Sequence, residues 1–484
     1  MAALAFQSAT ELAGRIRSRE IGCLELLDYF VGRVETLGAK VNAVIVRDFE
    51  GARARAAAAD QALSRGDAVG PLHGVPMTIK ESFRLKGTPS TLGFPAFANN
   101  IADTNAVVVD RLLDAGAVIF GKTNVPPALM DGQSANEIYG RTNNPWDLER
   151  TPGGSSGGSA AALAAGLTGL ELGSDIASSI RNPAHYCGVY GHKPTWGVCP
   201  QRGHGLTDIL EPTDIAVVGP MARSAADLEL ELSVIAGPDG AEARGWSLTL
   251  PPARQTTLKE FKVALVLDDP MAEVDSQVQR QLAALGEFLT GEGAQVAVGA
   301  RPAFDSRALY RLYMILLRAA TSAGMTDEAF ARDLEQAGGA TIATRDLAVA
   351  NAYGATMSHR DWLRLSEARN RYRQQWQAFF EQFDLLLCPV LSTAAFPHST
   401  VPPQERTLLV DNREVPFENQ LFWAGYSGVT WLPATAAPIG LTDSGLPVGV
   451  QIIGPQYGDL TCLRFARLLE QQYRAFVPPP GFDA

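Results

Sequence analysis

The sequence predicts an α/β fold in which layers of helix cover a largely internal sheet. Segments with helically spaced apolar residues alternate with short segments that are almost wholly apolar, which is the pattern of buried strands. The 484 residues are 46% hydrophobic and 19% charged, so the chain can bury a large core. Strands that are apolar on both faces need helices on both sides of the sheet.

The elements of the first half can be predicted in order. Residues 8–11, Ser-Ala-Thr-Glu, form a capping-box pattern that begins an amphipathic helix reaching about Phe30. The patterns that follow predict a strand at 42–46, a surface helix at 51–64, a strand at 74–80, a helix at 105–115 and a buried strand at 117–120.

The second half begins after a polar, proline-containing joint at 244–256. It contains no internal repeat and no segment of low complexity. The predicted elements are a strand at 263–266, a mostly helical stretch at 275–380, strands at 385–387 and 448–452, and a closing helix at 460–470.

Charge, hydropathy and cysteine content indicate which partners, location and redox state to expect. A formal net charge of -11, from 41 Lys+Arg and 52 Asp+Glu, repels phosphate backbones and anionic bilayers, so neither nucleic acid nor a membrane is an expected partner. The segment 1–6 has no basic residue, and no apolar run reaches about 18 residues. We therefore expect a soluble, cytoplasmic protein. Its five scattered cysteines are expected to be reduced.

The sequence predicts neither a metal nor a cofactor. Cys187 lies close to His185 and His192, but no HExxH or paired CxxC accompanies them. Residues 116–123, Gly-Ala-Val-Ile-Phe-Gly-Lys-Thr, match the phosphate-loop pattern GxxxxGK[ST]. In a true phosphate loop the strand precedes the first glycine, whereas here the residues between the glycines are the predicted strand. Pro127, soon after the lysine, also disfavours the required helix.

A second glycine-rich segment, 151–159, leads into the alanine-rich helix predicted at 160–166. Its backbone N–H groups would gather at a helix N-terminus, which suits polar chemistry. Gly153-x-Ser155-x-Gly157 also fits the nucleophile elbow of α/β-hydrolases, which would make Ser155 the nucleophile of an esterase and require a later acid and histidine. The histidines after it are His185, His192, His204, His359 and His398. A third segment, 173–184, is by composition alone a polar turn.

Taken together, the segments 74–81, 153–166 and 173–183 resemble the amidase signature family. Further blocks that are similar to the family lie at 121–124, 144–147, 187–195, 218–224 and 445–451. The resemblance implies a central mixed, twisted β-sheet covered on both faces by α-helices. It also implies one domain over 1–484, whose parts are a signature core at about 70–225, a mostly helical lobe at 257–380 and C-terminal strands and helix at 384–475 that complete the same sheet.

The resemblance further implies a Ser-cisSer-Lys triad. Lys80 ends the first motif, Ser155 is the bridging serine after a cis peptide, and Ser179 is the nucleophile. A lysine can take a proton from serine only if burial lowers its pKa, and the apolar residues before Lys80 agree with that. The oxyanion hole is expected to consist of the backbone N–H groups of Ile176, Ala177, Ser178 and Ser179. Ser156, Asp175 and Arg181 are expected to support the loop.

The chain departs from the family pattern just before the nucleophile. The family usually has two glycines there, where this chain has Ala177 and Ser178. If those glycines provide a positive φ or close substrate approach, the side chains alter the oxyanion hole and the substrate scope. An inactive scaffold is the corresponding alternative.

The expected reaction is hydrolysis of a carboxylic amide through an acyl-enzyme. Aryl or alkyl amides, nylon-type oligomers, anilides and carbamates are the expected substrate classes, and the expected assembly is a monomer or homodimer. A glutaminase-type subunit of a tRNA-dependent amidotransferase is the alternative within the family. The predicted pocket residues are Leu129, Met130, Gln133, Phe422, Trp423, Tyr426 and Trp431.

Overall fold

A computed structural model describes residues 4–206 and 210–482 of the chain. Its fifteen strands within these residues are β1 (Val44–Arg47), β2 (Pro76–Lys80), β3 (Val118–Thr123), β4 (Ala135–Asn136), β5 (Gly140–Arg141), β6 (Glu171–Asp175), β7 (Tyr190–Lys193), β8 (Val217–Ala222), β9 (Lys262–Leu265), β10 (Gln295–Val298), β11 (Leu385–Pro389), β12 (Thr407–Val410), β13 (Arg413–Pro416), β14 (Ala434–Leu441) and β15 (Pro447–Ile453).

The same residues form fourteen α-helices, joined in places by short 3-10 turns. They are α1 (Ala9–Arg17), α2 (Cys23–Val41), α3 (Phe49–Arg65), α4 (Val107–Asp114), α5 (Gly157–Ala164), α6 (Arg181–Cys187), α7 (Ala225–Ile235), α8 (Ser276–Gly291), α9 (Ser306–Thr321), α10 (Asp327–Ala337), α11 (Leu347–Thr356), α12 (His359–Phe380), α13 (Leu421–Gly428) and α14 (Asp459–Gln472).

Eleven of the described strands form one mixed sheet in the order β1-β3-β2-β6-β8-β7-β14-β15-β11-β9-β10. β2 is parallel to both β3 and β6, and β9 is parallel to both β10 and β11, whereas β14 and β15 are antiparallel. The central strands are buried on both faces, as the apolar segments predicted. The α/β prediction, with a central mixed sheet flanked by helices, is therefore confirmed.

Most of the predicted elements are found, with shifted ends. The Ser8 capping box is present at the start of α1. The predicted single N-terminal helix is wrong, because α1 ends at Arg17 and α2 begins at Cys23. Arg19, between the two helices, has a φ of +61°, a conformation that a continuing helix does not allow.

Several strands of the main sheet were missed by the sequence analysis, including β7 and β14, whose pairing joins the two halves of the sheet. The segment at 173–184, interpreted as a polar turn, begins inside β6, since residues 173–175 pair with β8 and the Ser174 and Asp175 side chains are buried. β10 interrupts the stretch predicted as helical. Strands from the early, middle and late parts of the chain share one sheet, but the single-domain assignment stays a prediction. No described helix is long and apolar enough to span a bilayer.

Candidate active site

Lys80 and the segment before Ser179 meet at one edge of the sheet. β2 and β6 are neighbouring parallel strands, so their carboxyl ends point the same way. Lys80 is the last residue of β2, and its side chain is wholly buried. Its Nζ lies 2.6 Å from the Ser155 Oγ and 2.9 Å from the Ser174 Oγ. Burial lowers the pKa of Lys80 to about 7, against the opposing charges of Asp175 and Glu171.

Ser155 lies in the glycine-rich loop just before α5, and the peptide between Gly154 and Ser155 is cis. Close backbone packing explains two of the glycines. A Cβ atom on Gly154 would lie 2.4 Å from the carbonyl oxygen of Asp131, and one on Gly158 would lie 2.3 Å from the backbone nitrogen of Asn124. Both positions therefore exclude a side chain, and the loop holds Ser155 against Lys80.

Ser179 lies in the loop between β6 and α6 and lines the main cavity of the site. The two serine loops are joined by a hydrogen bond in which the Ser156 N–H donates to the Ser179 carbonyl at 3.1 Å. The Ser156 hydroxyl also donates to the Ser174 carbonyl at 3.3 Å. Among the described residues, no hydrogen bond joins the Ser155 and Ser179 hydroxyls. Such contacts are often long before substrate binds.

A buried ion pair supports the nucleophile loop. Asp175 and Arg181 are both 0% exposed and make two contacts of 2.9 Å, one through Nε and one through Nη2. The Asp175 carboxylate also accepts from the Ser178 and Ile180 N–H groups. Although burial opposes its charge, the Arg181 guanidinium holds the pKa of Asp175 down at about 2. This buried carboxylate therefore fixes the turn around Ser179 through its hydrogen bonds to the loop backbone.

The predicted oxyanion donors are not equivalent. The Ser178 N–H donates to Asp175 at 2.8 Å, which leaves Ile176, Ala177 and Ser179 as the predicted donors. Ser178 has a φ of +76°, the conformation that the usual glycine would adopt without strain. Its hydroxyl is buried and has no hydrogen-bond partner among the described residues. The departure from the family pattern therefore places both a strained backbone and an unpaired hydroxyl beside the nucleophile.

Replacing Ser178 with glycine should raise the free energy of unfolding by about 1 kcal/mol, because a left-handed conformation costs a residue with a Cβ about 1–2 kcal/mol. Ser178→Ala is the matched variant, since it removes the hydroxyl but keeps the Cβ atom. Urea unfolding of the three proteins measures both effects. A stability gain in the alanine variant equal to that in the glycine variant would assign the cost to the hydroxyl and contradict the backbone explanation.

The cavity above Ser179 has a volume of about 840 Å³, including its open mouth. Its lining is mainly apolar and includes Leu129 and Met130, two of the residues named as pocket candidates; their role in binding substrate stays a prediction. Helix α9 supplies Met314 and Leu317. The remaining apolar side chains of the lining are Ile176, Ala177, Leu391, Pro403, Phe417 and Leu421.

The other predicted pocket residues lie elsewhere. The Gln133 side chain exchanges hydrogen bonds with the backbone of Ser399, so it joins two loops instead of lining the cavity. Phe422 and Trp423 are packed into the hydrophobic core with the predicted Tyr426. Their aromatic character reflects core packing, which the sequence alone does not distinguish from a pocket wall.

Trp431 is likewise outside the cavity lining. Its ring stacks on Trp196 with the centroids 4.8 Å apart, and the Arg369 and Arg373 guanidinium groups lie 4.2 and 4.6 Å from its centroid. Its indole N–H donates to Asp214 at 2.9 Å. Trp431 therefore belongs to a cation–π cluster and not to the pocket.

Several polar residues of the pocket were missed by sequence analysis. Arg318 on α9 forms a 3.4 Å ion pair with Glu418, and both line the cavity. Gln420, which is 1% exposed, and Asn182 also lie in the lining, and buried side-chain atoms of both lack hydrogen-bond partners among the described residues. Arg318, Glu418 and Gln420 lie in segments without a motif and give no sequence signal, whereas Asn182 lies within the motif at 173–183 and could have been considered.

The structure also tests the alternative sites. Gly121, Lys122 and Thr123 lie within β3, so the phosphate-loop match has no loop. Lys122 is buried and donates to the Ser90 hydroxyl at 2.9 Å. No group of three or more metal-binding side chains was found within 4–206 and 210–482. Ser155 is hydrogen-bonded to Lys80 and, among the described residues, to no histidine, which disfavours the esterase alternative.

Comparisons with known proteins agree with this architecture. A family model described as Amidase matches residues 25–463. The chain is 34% identical to an acylamidase of Rhodococcus erythropolis, over 96% of this chain and 94% of that protein. It is 33% identical to a glutamyl-tRNA(Gln) amidotransferase subunit of Acidothermus cellulolyticus, over 98% of this chain and 96% of that protein.

A solved bacterial aryl acylamidase of the amidase signature family superposes with a TM-score of 0.79 at 25% identity, covering 96% of both chains. The family match, the acylamidase relative and this superposition extend over nearly the whole length of the chain. The chain therefore belongs to the amidase signature family and is a hydrolase that acts on amide C–N bonds.

Proposed function

We propose that the protein hydrolyses uncharged carboxylic amides through an acyl-enzyme on Ser179, with Ser155 as proton relay and Lys80 as base. The observation that carries this proposal is the 2.6 Å contact between the Lys80 Nζ and the Ser155 Oγ, next to an apolar cavity that Gly154 and Ser179 line. A buried amine with a pKa near 7 is half neutral at neutral pH, which suits a general base.

In the acylation step the Ser179 oxygen forms a bond to the substrate carbonyl carbon. Its proton passes to Ser155, whose own proton passes to Lys80. The developing oxyanion accepts from backbone N–H groups of Ile176, Ala177 and Ser179. Collapse of the tetrahedral intermediate breaks the C–N bond, and the proton on Lys80 returns through Ser155 to the departing nitrogen.

Deacylation repeats these transfers with water as nucleophile. The water proton passes along the same route to Lys80 and returns to the Ser179 oxygen when the acid product leaves. The buried pair of Asp175 and Arg181 takes no part in the transfers. Its role is to hold the Ser179 loop rigid while the substrate carbonyl is bound.

The lining of the cavity supports an uncharged, largely apolar acyl group. Arg318 and Glu418 neutralise each other in an ion pair, and Asp131, which also lines the cavity, is bound bidentately by Arg406. A charged acyl group would have to break one of these pairs. Aryl and alkyl amides, cyclic nylon-type oligomers and carbamates fit this environment, whereas the charged ends of a linear nylon oligomer do not.

Covalent labelling tests the nucleophile. Incubation with a phosphonyl fluoride should add one adduct per chain, and peptide mapping should place it on Ser179. Ser179→Ala should abolish the adduct because the attacking oxygen is lost. Ser90→Ala, the same change at a buried serine that contacts Lys122, serves as the matched control and should label normally. Labelling of Ser155 in place of Ser179 would overturn the assignment.

A glutaminase role is the second candidate, because the chain is also similar to an amidotransferase subunit over nearly its full length. It predicts that purified protein hydrolyses glutamine in preference to anilides or alkyl amides. Glutamine carries two charged groups near its α-carbon, whereas the charged side chains of this pocket are already paired. We therefore expect faster hydrolysis of an apolar anilide. Faster release of ammonia from glutamine would favour the subunit role.

A further inference from the structure

The buried amine of Lys80 has a second connection that the proposed triad does not use. Its Nζ lies 2.9 Å from the Ser174 Oγ, and the same oxygen lies 2.9 Å from the His204 Nε2. His204 follows β7 in the chain and forms an isolated backbone bridge with Phe83, whose ring centroid is 4.9 Å from that of the histidine. The mostly buried imidazole therefore lies at the end of a hydrogen-bonded path from the base.

The hydrogens of this path can be assigned by counting donors and acceptors. A neutral lysine amine has two N–H donors and one lone pair. As a base, Lys80 must direct the lone pair towards Ser155, which leaves its two N–H groups for the Ser174 hydroxyl at 2.9 Å and the Ser174 carbonyl at 3.4 Å. The Ser174 hydroxyl then accepts from lysine and must give its own hydrogen to another acceptor.

The imidazole of His204 can be the acceptor for that hydrogen. Its Nε2 accepts when the ring proton is on Nδ1. We infer that His204 is a positioning residue, which fixes the Ser174 hydroxyl so that the Lys80 lone pair faces Ser155. This inference rests on the proposed function of Lys80 as the base.

The opposite protonation state would disrupt this arrangement. A protonated His204 would donate to the Ser174 oxygen, and the serine hydrogen would turn towards the Lys80 lone pair. Lysine could then no longer accept from Ser155. Burial, with the nearby Lys80 charge, lowers the pKa of His204 to about 3, so the ring is neutral at neutral pH. Of its two neutral tautomers, the one with the proton on Nδ1 presents an accepting Nε2 to the Ser174 hydroxyl. Asp175 and Glu171 are the further charged groups near the amine.

The role of His204 as acceptor can be tested by comparing His204→Leu with His204→Gln. Leucine removes the acceptor, whereas a glutamine Oε1 can take the place of the Nε2 atom. We expect His204→Leu to lower the rate of Ser179 phosphonylation about 10- to 100-fold and to change its pH profile. His204→Gln should stay within about threefold of wild type. His73→Leu, at a buried histidine that precedes β2 and binds the Ala59 carbonyl, is the matched control.

A double-mutant cycle separates positioning from general damage. Because both residues act through one hydroxyl, Ser174→Ala and His204→Leu should slow phosphonylation by similar factors, and the double variant should be no slower than the slower single variant. Multiplicative effects, or a His204→Gln variant as slow as the His204→Leu variant, would overturn the inference.

If the His204→Leu variant does not fold, His204→Asn replaces it, because the asparagine side chain is one bond shorter than that of glutamine and does not reach the Ser174 hydroxyl. Equal rates for the Asn and Gln variants would then overturn the inference.

The outcomes distinguish this inference from the proposed function. Suppose that the wild-type protein labels at Ser179, that Lys80→Met abolishes this labelling and that His204→Leu leaves its rate unchanged. This result would remove the role of His204 and leave the triad intact. Wild type that does not label at Ser179 would instead contradict the proposed function, and with it the positioning role.

Discussion

Lys80→Met should slow both phosphonylation of Ser179 and amide turnover about 100- to 10,000-fold, the usual effect of losing a general base. In wild type, kcat/KM should rise with pH through about 7, because the amine becomes a base only as it loses its proton. The methionine variant should lose this dependence. The measurement is the rate of adduct formation by intact mass between about pH 5.5 and 9, a range that brackets the titration of the base.

Lys122→Met is the matched control for Lys80→Met. Lys122 is also a wholly buried lysine at the end of the neighbouring strand β3, and burial lowers its pKa to about 8. It contacts Ser90 and Pro89, away from Ser155. Folded protein of this variant should therefore label at close to the wild-type rate. Equal losses in folded protein of the two variants would show that losing either buried lysine slows labelling, and would remove the evidence for a base at Lys80.

Arg181→Ala should lower the free energy of unfolding by about 3–5 kcal/mol, since it leaves the Asp175 carboxylate charged and buried. The guanidinium also donates to the Ala424 carbonyl, the Ser427 hydroxyl and the Gln451 side chain, and these acceptors would lose a partner. Urea unfolding followed by circular dichroism measures the change. Arg181→Lys should be more stable than Arg181→Ala but less stable than wild type, because an ammonium keeps the positive charge but cannot form the bidentate contact with Asp175.

An exposed ion pair provides the comparison for Arg181. Arg53 and Asp28 are 2.8 Å apart, with 39% and 48% of their side chains exposed. Arg53→Ala should change the free energy of unfolding far less than Arg181→Ala does, because solvent screens an exposed ion pair. If Arg181→Ala lowers the free energy of unfolding as little as Arg53→Ala does, the Asp175 carboxyl must be neutralised or hydrated in the Arg181→Ala variant.

The predictable parts of the site are those coded by contiguous residues. Lys80 and Ser155 could be named because each lies in a contiguous motif that resembles the amidase signature family, and the apolar residues before Lys80 agreed with a buried amine. Asp175 and Arg181 could be paired because they flank one turn. The positive φ at Ser178 could be anticipated as a possibility, but its buried, unpaired hydroxyl could not, since that depends on what packs against the loop within the described residues.

The pocket was predicted poorly for the same reason. Trp423 and Leu421 are two positions apart in the sequence, yet Leu421 lines the cavity and Trp423 is in the core. Which side of α13 faces the substrate depends on the packing of α9 against it. His204 had no distinguishing sequence context, because its partner Ser174 is thirty positions away on β6. Long-range contacts of this kind need the fold.

The origin of the cavity lining has a consequence for how such an enzyme can diversify. The proposed reacting groups come from residues 80–179, whereas Met314 and Leu317 on α9 and the segment 417–421 supply much of the wall that would contact the acyl group. A substitution at a lining position of the later part replaces none of the proposed reacting groups. Libraries restricted to the lining positions of α9 and 417–421 should therefore change substrate preference while Lys80, Ser155 and Ser179 stay in place.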